Sequence, residues 1–141
     1  MTASSAPHPA SERQAVSPGA LWFGLFGAPA AWSLQLMVSY ALTAHGCFPV
    51  SEPLAAPFFG GLWALDLVVS LAAVAAAAAA GATAWRSWRV TRGERPGGPE
   101  HLESGWGRTH FMALAGTLVS GLFFLGVIMA GIPLFLVSPC G

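Results

Sequence analysis

Between Gly19 and Ala44 the chain runs for 26 residues without a charged side chain. A helix needs about 20 apolar residues, at ~1.5 Å each, to cross roughly 30 Å of hydrocarbon. Two further runs have the same character. One extends from about Pro57 to Trp85 and is interrupted only by Asp66; the other extends from about Thr109 to Val137. Composition agrees, since 55% of the 141 residues are hydrophobic, 9% are charged and none is lysine. A soluble domain carries about 25% charged residues to cover its surface. This balance excludes an ordinary soluble enzyme. It also excludes a nucleic-acid binder, which needs a basic face, and extended disorder, which needs low hydrophobicity.

The expected fold is therefore an all-α integral membrane bundle of three transmembrane helices, at about residues 19–45, 57–85 and 109–137. Residues 1–18, rich in Ser, Ala and Pro, read as a disordered tail. Residues 86–108 hold five of the six arginines and three of the six acids; they read as a polar loop with Pro96-Gly97-Gly98-Pro99 at its centre. Pro57 suits the first turn of the second helix. Ala28-Pro29-Ala30 has the small residues of a signal-peptidase site, and Ala44-His45-Gly46-Cys47 those of a distorted lipobox. Hydrophobicity continues past the first, and the apolar run before the second exceeds a signal h-region of roughly 7–15 residues, so neither cleavage nor lipidation is expected.

Arginine placement sets the expected orientation. Arg13 precedes the first helix, and Arg86, Arg89, Arg92, Arg95 and Arg108 lie between the second and third. Positive residues stay on the cytoplasmic side. The N-terminus and the arginine loop are then cytoplasmic, and the Gly46–Ala56 loop and C-terminus periplasmic, in a bacterial inner membrane. Trp22, Trp85, Trp88 and Trp106 form the inner aromatic belt, and Phe48, Phe58, Phe59 and Trp63 the outer one.

This topology brings the chain's two cysteines level. Cys47 ends the first helix and Cys140 the third, both on the oxidising side, so a Cys47–Cys140 disulfide is expected. It requires the first and third helices to touch, because helices two neighbours apart exceed the ~8–10 Å packing distance. The alternatives are two unrelated thiols, or a Cu(I) or Zn site made by His45, Cys47 and Cys140. His-x-Cys is a weak motif, and no metal or other cofactor is predicted.

Asp66 is the single formal charge inside a span, and such an acid is a functional candidate by default. Counted from a helix start at Pro57 it lies nine residues, ~13 Å, deep. Gln35 and Ser39 share a face at i, i+4 spacing and reach the same level, with Tyr40 beside them. The bland reading is a polar tie between helices; the sharper one is a protonatable transport residue. Gly24 and Ala28, and Gly126 and Ala130, offer small-xxx-small packing faces. Ala75 to Gly81 is small on every side, as the centre of a bundle or a partner contact would be. Pro29 and Pro133 are expected to kink their helices by freeing the carbonyls of Leu25 and Met129.

The stretch Gly24-Leu25-Phe26-Gly27-Ala28-Pro29-Ala30-Ala31-Trp32-Ser33-Leu34-Gln35-Leu36, with Tyr40-Ala41-Leu42 and Cys47 after it, resembles a group of small uncharacterised proteobacterial membrane proteins. Phe111-Met112-Ala113-Leu114-Ala115-Gly116, continuing to Ile132-Pro133 and a closing Pro139-Cys140, is similar to their third helix. Some of that group are encoded beside cytochrome c oxidase genes. The resemblance covers the three helices from about Leu21 to Gly141 and leaves out the tail and the arginine loop. It implies a respiratory role as accessory subunit or assembly factor of a terminal oxidase, and no catalytic residue. The soluble segments are too short to enclose a pocket of ~300 Å³, so no enzyme is expected. The expected function is a non-enzymatic accessory protein whose partners are the lipid bilayer and other membrane proteins. The alternative is a small transporter or metal/redox module using Asp66 or His45, Cys47 and Cys140.

Overall fold

The structure, a computed structural model, describes residues 16–49, 52, 54–92, 108–138 and 140. They form α1 (Pro18–Cys47), α2 (Leu62–Thr91), α3 (Arg108–Gly131) and the single turn α4 (Pro133–Leu136). The regular structure of the described residues is all helical, and three helical segments, Pro18–Cys47, Leu62–Thr91 and Thr109–Leu136, are long and apolar enough to cross a membrane.

Local chemistry sets the ends. Ser17 caps α1: its hydroxyl accepts from the Ala20 amide at 3.2 Å, and Pro18 occupies the first turn, where no amide is needed. The tail expected through Pro18 therefore stops short of it, and residues 1–15 lie outside the described chain. At the other end of α1 the amides of Leu54 and Phe58 donate to the carbonyls of Cys47 (2.9 Å) and Gly46 (2.8 Å). That capping corrects the expected start of α2. Phe58 is committed to closing α1, so the chain turns through Gly60 and Gly61 and becomes helical at Leu62, not at Pro57. The far end is corrected too, because α2 continues past Trp85 to Thr91. There the hydroxyls of Ser87 and Thr91 donate to the carbonyls of Thr83 and Ser87, at 2.9 and 3.0 Å, and keep their polar atoms inside the helix. The loop expected at 86–108 thus loses its first six residues to α2; residues 93–107 lie outside the described chain.

The two prolines act differently. α1 continues as helix through Pro29. Pro133 separates α3 from α4, and the carbonyl it frees, Met129, accepts instead from the Ile132 amide at 3.3 Å.

α1, α2 and α3 each pack against both of the others. α1 and α2 are antiparallel, as the facing pairs Gly24 with Ala84, Gly27 with Ala80 and Gly46 with Leu62 show. α1 and α3 are parallel, with Gly24 facing Gly116 and Trp32 facing Gly126. The interior is made of small residues. On α2 the buried positions Ala73, Ala77, Ala80, Ala84, Ser87 and Thr91 alternate at spacings of four and three. On α3 Ala113, Ser120 and Val127 recur every seven residues. A seven-residue repeat keeps one seam on the neighbours, as in left-handed coiled coils. Outside the seam the large side chains, such as Leu34, Met37, Leu118 and Leu122, are exposed. Burying them would gain little in lipid, where helix association rests on close van der Waals packing and interhelical hydrogen bonds.

Candidate functional site

Four polar side chains inside the bundle form two rungs between α1 and α2. In the first, Gln35 is 2% exposed; its amide nitrogen donates to Ser70 Oγ on α2 at 3.3 Å and to the Val127 carbonyl on α3 at 3.4 Å. Its amide oxygen Oε1 is buried and has no hydrogen-bond partner. In the second rung, the Ser39 hydroxyl donates to the Asp66 carboxylate. Ser39 is one turn from Gln35, and Asp66 is one turn from Ser70, so the rungs stack along the antiparallel pair.

These positions follow from the seam. Asp66 lies seven residues before Ala73 and Ser70 seven before Ala77, so both extend the buried stripe of α2. The carboxylate faces another helix because its position is in phase with the alanines. Of the two residues expected level with Asp66, Ser39 bonds it, while Gln35 reaches Ser70 instead. Tyr40 is 78% exposed and points away from the cluster, where a nearby position was expected. Depth changes as well. With α2 starting at Leu62, Asp66 is four residues into the helix, about 6 Å from its start. A third polar contact lies toward the opposite end, where Ser120, fully buried, donates to the Gly24 carbonyl at 2.7 Å. Ser70 is the partner that the sequence leaves unmarked, although it lies one turn from Asp66.

The cysteines form the other expected pair. Cys47 and Cys140 are joined as a disulfide, with Cα atoms 5.3 Å apart. Around it the C-terminal segment folds onto α2. The Trp63 indole donates to the Leu134 carbonyl at 3.2 Å, and its ring meets Phe135 edge-on at 6.3 Å. His45, two residues before Cys47, is exposed. The proposed metal set depends on two thiolates, and a disulfide has none to offer. Among the described residues no group of three His, Cys, Asp or Glu side chains converges.

At the opposite end Thr91, fully buried, lies 3.4 Å from His110 Nδ1. Nearby, Trp85 and Trp88 pack with centroids 4.9 Å apart, and the Arg92 guanidinium lies over the Trp88 ring at 5.5 Å. Chemically, the interior contacts tie helices to one another. Gln35 joins all three, Ser39 and Asp66 join α1 to α2, and Ser120 joins α3 to α1. No family model, no curated protein and no solved structure matches the chain.

Proposed function

We propose that the chain is a non-enzymatic accessory subunit or assembly factor of a larger complex in the bacterial inner membrane, with its N-terminus cytoplasmic and a terminal cytochrome oxidase as the complex. The observation that carries this reading is how the intramembrane polar groups are spent. Asp66, Ser39, Gln35, Ser70 and Ser120 each bond a neighbouring helix, which is the work of a scaffold. The exterior left over is a belt of large apolar side chains suited to lipid and to other transmembrane helices. The oxidase as partner rests on the resemblance of the Gly24–Leu36 and Phe111–Gly116 stretches described above.

Extraction of native membranes in mild detergent, with the chain as bait, tests the proposal. Oxidase subunits are expected to co-purify, and deletion of the chain is expected to lower the amount of assembled oxidase. A chain that purifies alone, and whose reconstituted ion flux disappears with Asp66→Asn, would transfer the assignment to the transporter reading.

A further inference from the structure

Three arginines close the end of α2. Arg86, Arg89 and Arg92 are all exposed. The described carboxylates are Glu52 and Asp66; Asp66 bonds Ser39 near the opposite end of α2, and Glu52 lies in the connection beyond Cys47. Neither can neutralise these guanidiniums. Two indoles sit among them, Trp85 and Trp88, with the Arg92 guanidinium stacked on Trp88. Indoles prefer the level where hydrocarbon meets headgroups, so this pair sets the arginines at headgroup height.

Arg86 and Arg89 also continue a surface that faces away from the bundle. Ala75, Ala79 and Ala82 precede them at spacings of four, three, four and three, and all five positions are exposed. The two arginines therefore stand at the end of a shallow strip without large side chains. Elsewhere the bundle presents Leu, Met and Phe to the bilayer.

We propose that this end of α2 is a binding site for an anionic phospholipid. Its phosphate pairs with Arg86 and Arg89, whose planar guanidiniums can each give two hydrogen bonds to phosphate oxygens. One acyl chain lies along the Ala82 and Ala79 strip, where the missing side chains leave room for it. The argument is one of charge complementarity: two cations that no described carboxylate pairs, at headgroup height, call for a phosphate that remains there, and a lipid supplies that phosphate already attached to an apolar chain. The site depends on the chain spanning a membrane, and is independent of which complex it joins.

The test uses the full chain in mild detergent, titrated with phosphatidylglycerol or phosphatidylcholine, with bound lipid counted by native mass spectrometry. Phosphatidylglycerol is expected to be retained at least tenfold more tightly. Each of Arg86→Gln and Arg89→Gln should weaken it about fivefold, equivalent to ~1 kcal/mol per arginine. Arg89→Lys should lose less affinity than Arg89→Gln, because it keeps the charge and gives up only the two-point hydrogen bonding; Arg13→Gln should leave the affinity unchanged, and circular dichroism should show the same helix content in every variant. Added salt should weaken retention, as for any exposed ion pair. Equal retention of the two lipids, or an Arg86→Gln/Arg89→Gln double variant that still prefers phosphatidylglycerol, would overturn the site. Full displacement by millimolar inorganic phosphate would remove the acyl chain from the proposal and overturn it as a lipid site. A species of two chains without lipid, lost on Ala79→Leu, would assign the face to a second copy instead.

Discussion

A carboxylate at the centre of a bilayer costs about 2.5–3.5 kcal/mol on insertion scales, and that cost is what made Asp66 stand out in the sequence. Its position lowers the cost. α1 and α2 have 30 residues each, about 45 Å of helix against roughly 30 Å of hydrocarbon. If the surplus is shared between the two ends, about 7 Å of each helix lies outside the hydrocarbon. Four residues into α2, Asp66 then stands at the edge of that layer, with the Ser39 hydroxyl on its carboxylate. An asparagine keeps an oxygen that accepts from Ser39. Asp66→Asn is therefore expected to preserve the fold and to change the unfolding free energy in mixed micelles by less than ~1 kcal/mol. Ser39→Ala and Ser120→Ala each remove one interhelical bond and should each cost about 0.6 kcal/mol, the average for such bonds in membranes. A loss of several kcal/mol at Asp66→Asn would mean that the charge itself holds the bundle together. The sequence placed Gln35 and Ser39 correctly on one face, since i and i+4 cannot diverge on a helix. It leaves Gln35 and Ser39 as alternative partners of Asp66, because a helix start at Pro57 lies five residues before the actual one. A helix that begins at Leu62 brings Ser70 to the level of Gln35.

α1 and α3 approach backbone to backbone where Gly116 meets Gly24. A Cβ on Gly116 would lie 3.2 Å from the Gly24 carbonyl oxygen and 3.3 Å from its carbon, both of them backbone atoms that cannot rotate away. A Cβ on Gly24 would meet the Ala84 Cβ at 3.0 Å and its Cα at 3.1 Å. Gly121, one residue beyond Ser120, meets nothing within 4 Å. Gly116→Ala should then push the helices apart and cost about 1–3 kcal/mol, the usual range for overpacking. Gly121→Ala should be neutral or slightly stabilising, because alanine is the better helix former. Equal effects of the two on unfolding would show that α1 and α3 do not meet there. The three spans were legible because twenty apolar residues in lipid have little choice but to be helical. Their ends were less legible. Phe58 looks like the opening of a helix after Pro57, yet its amide, like that of Leu54, serves the last carbonyls of α1, a pairing that exists only once the chain has folded back. Trp85 looked like an interfacial stop, yet α2 runs on through Arg86 and Arg89, whose long side chains can reach water from a helix at the interface. The alanine seam was legible as small residues. Which of them face inward became clear only from the seven-residue phase shared with Asp66 and Ser70.

Over the whole molecule, orientation and redox state are one question. α1 and α3 are parallel, so Cys47 and Cys140 share an end, and it is the end without arginines. If the arginines stay cytoplasmic, the cysteines face the periplasm, where a disulfide persists; in the opposite orientation they would face a reducing compartment. A cytoplasm-dependent reporter fused at Gly141 is accordingly expected to be silent, and a periplasm-dependent one active. In intact cells neither cysteine should react with a maleimide before reduction, while Cys47→Ser should make Cys140 reactive. The size of the stabilisation separates two pictures of the unfolded state. The bridge joins residues 93 apart, and for a free chain in water a loop of that length gives about 4.6 kcal/mol by closure entropy. In a bilayer the separated helices remain inserted, so α1 and α3 keep their depth and direction even when apart. Most of the freedom that a bridge would remove is already gone, and its contribution should be well below the aqueous figure, nearer 1–2 kcal/mol. The loss should also be local. Cys140→Ser releases the C-terminal hook, leaving it held by the Trp63 bond to Leu134 and the contact with Phe135. Faster amide exchange is expected at Leu54, Phe58 and Phe135 near the bridge, with unchanged exchange at Ser120, close to the Gly24 crossing. A fall of more than 4 kcal/mol, or exchange that rises evenly along all three helices, would show instead that the bridge holds the helices together along their whole length.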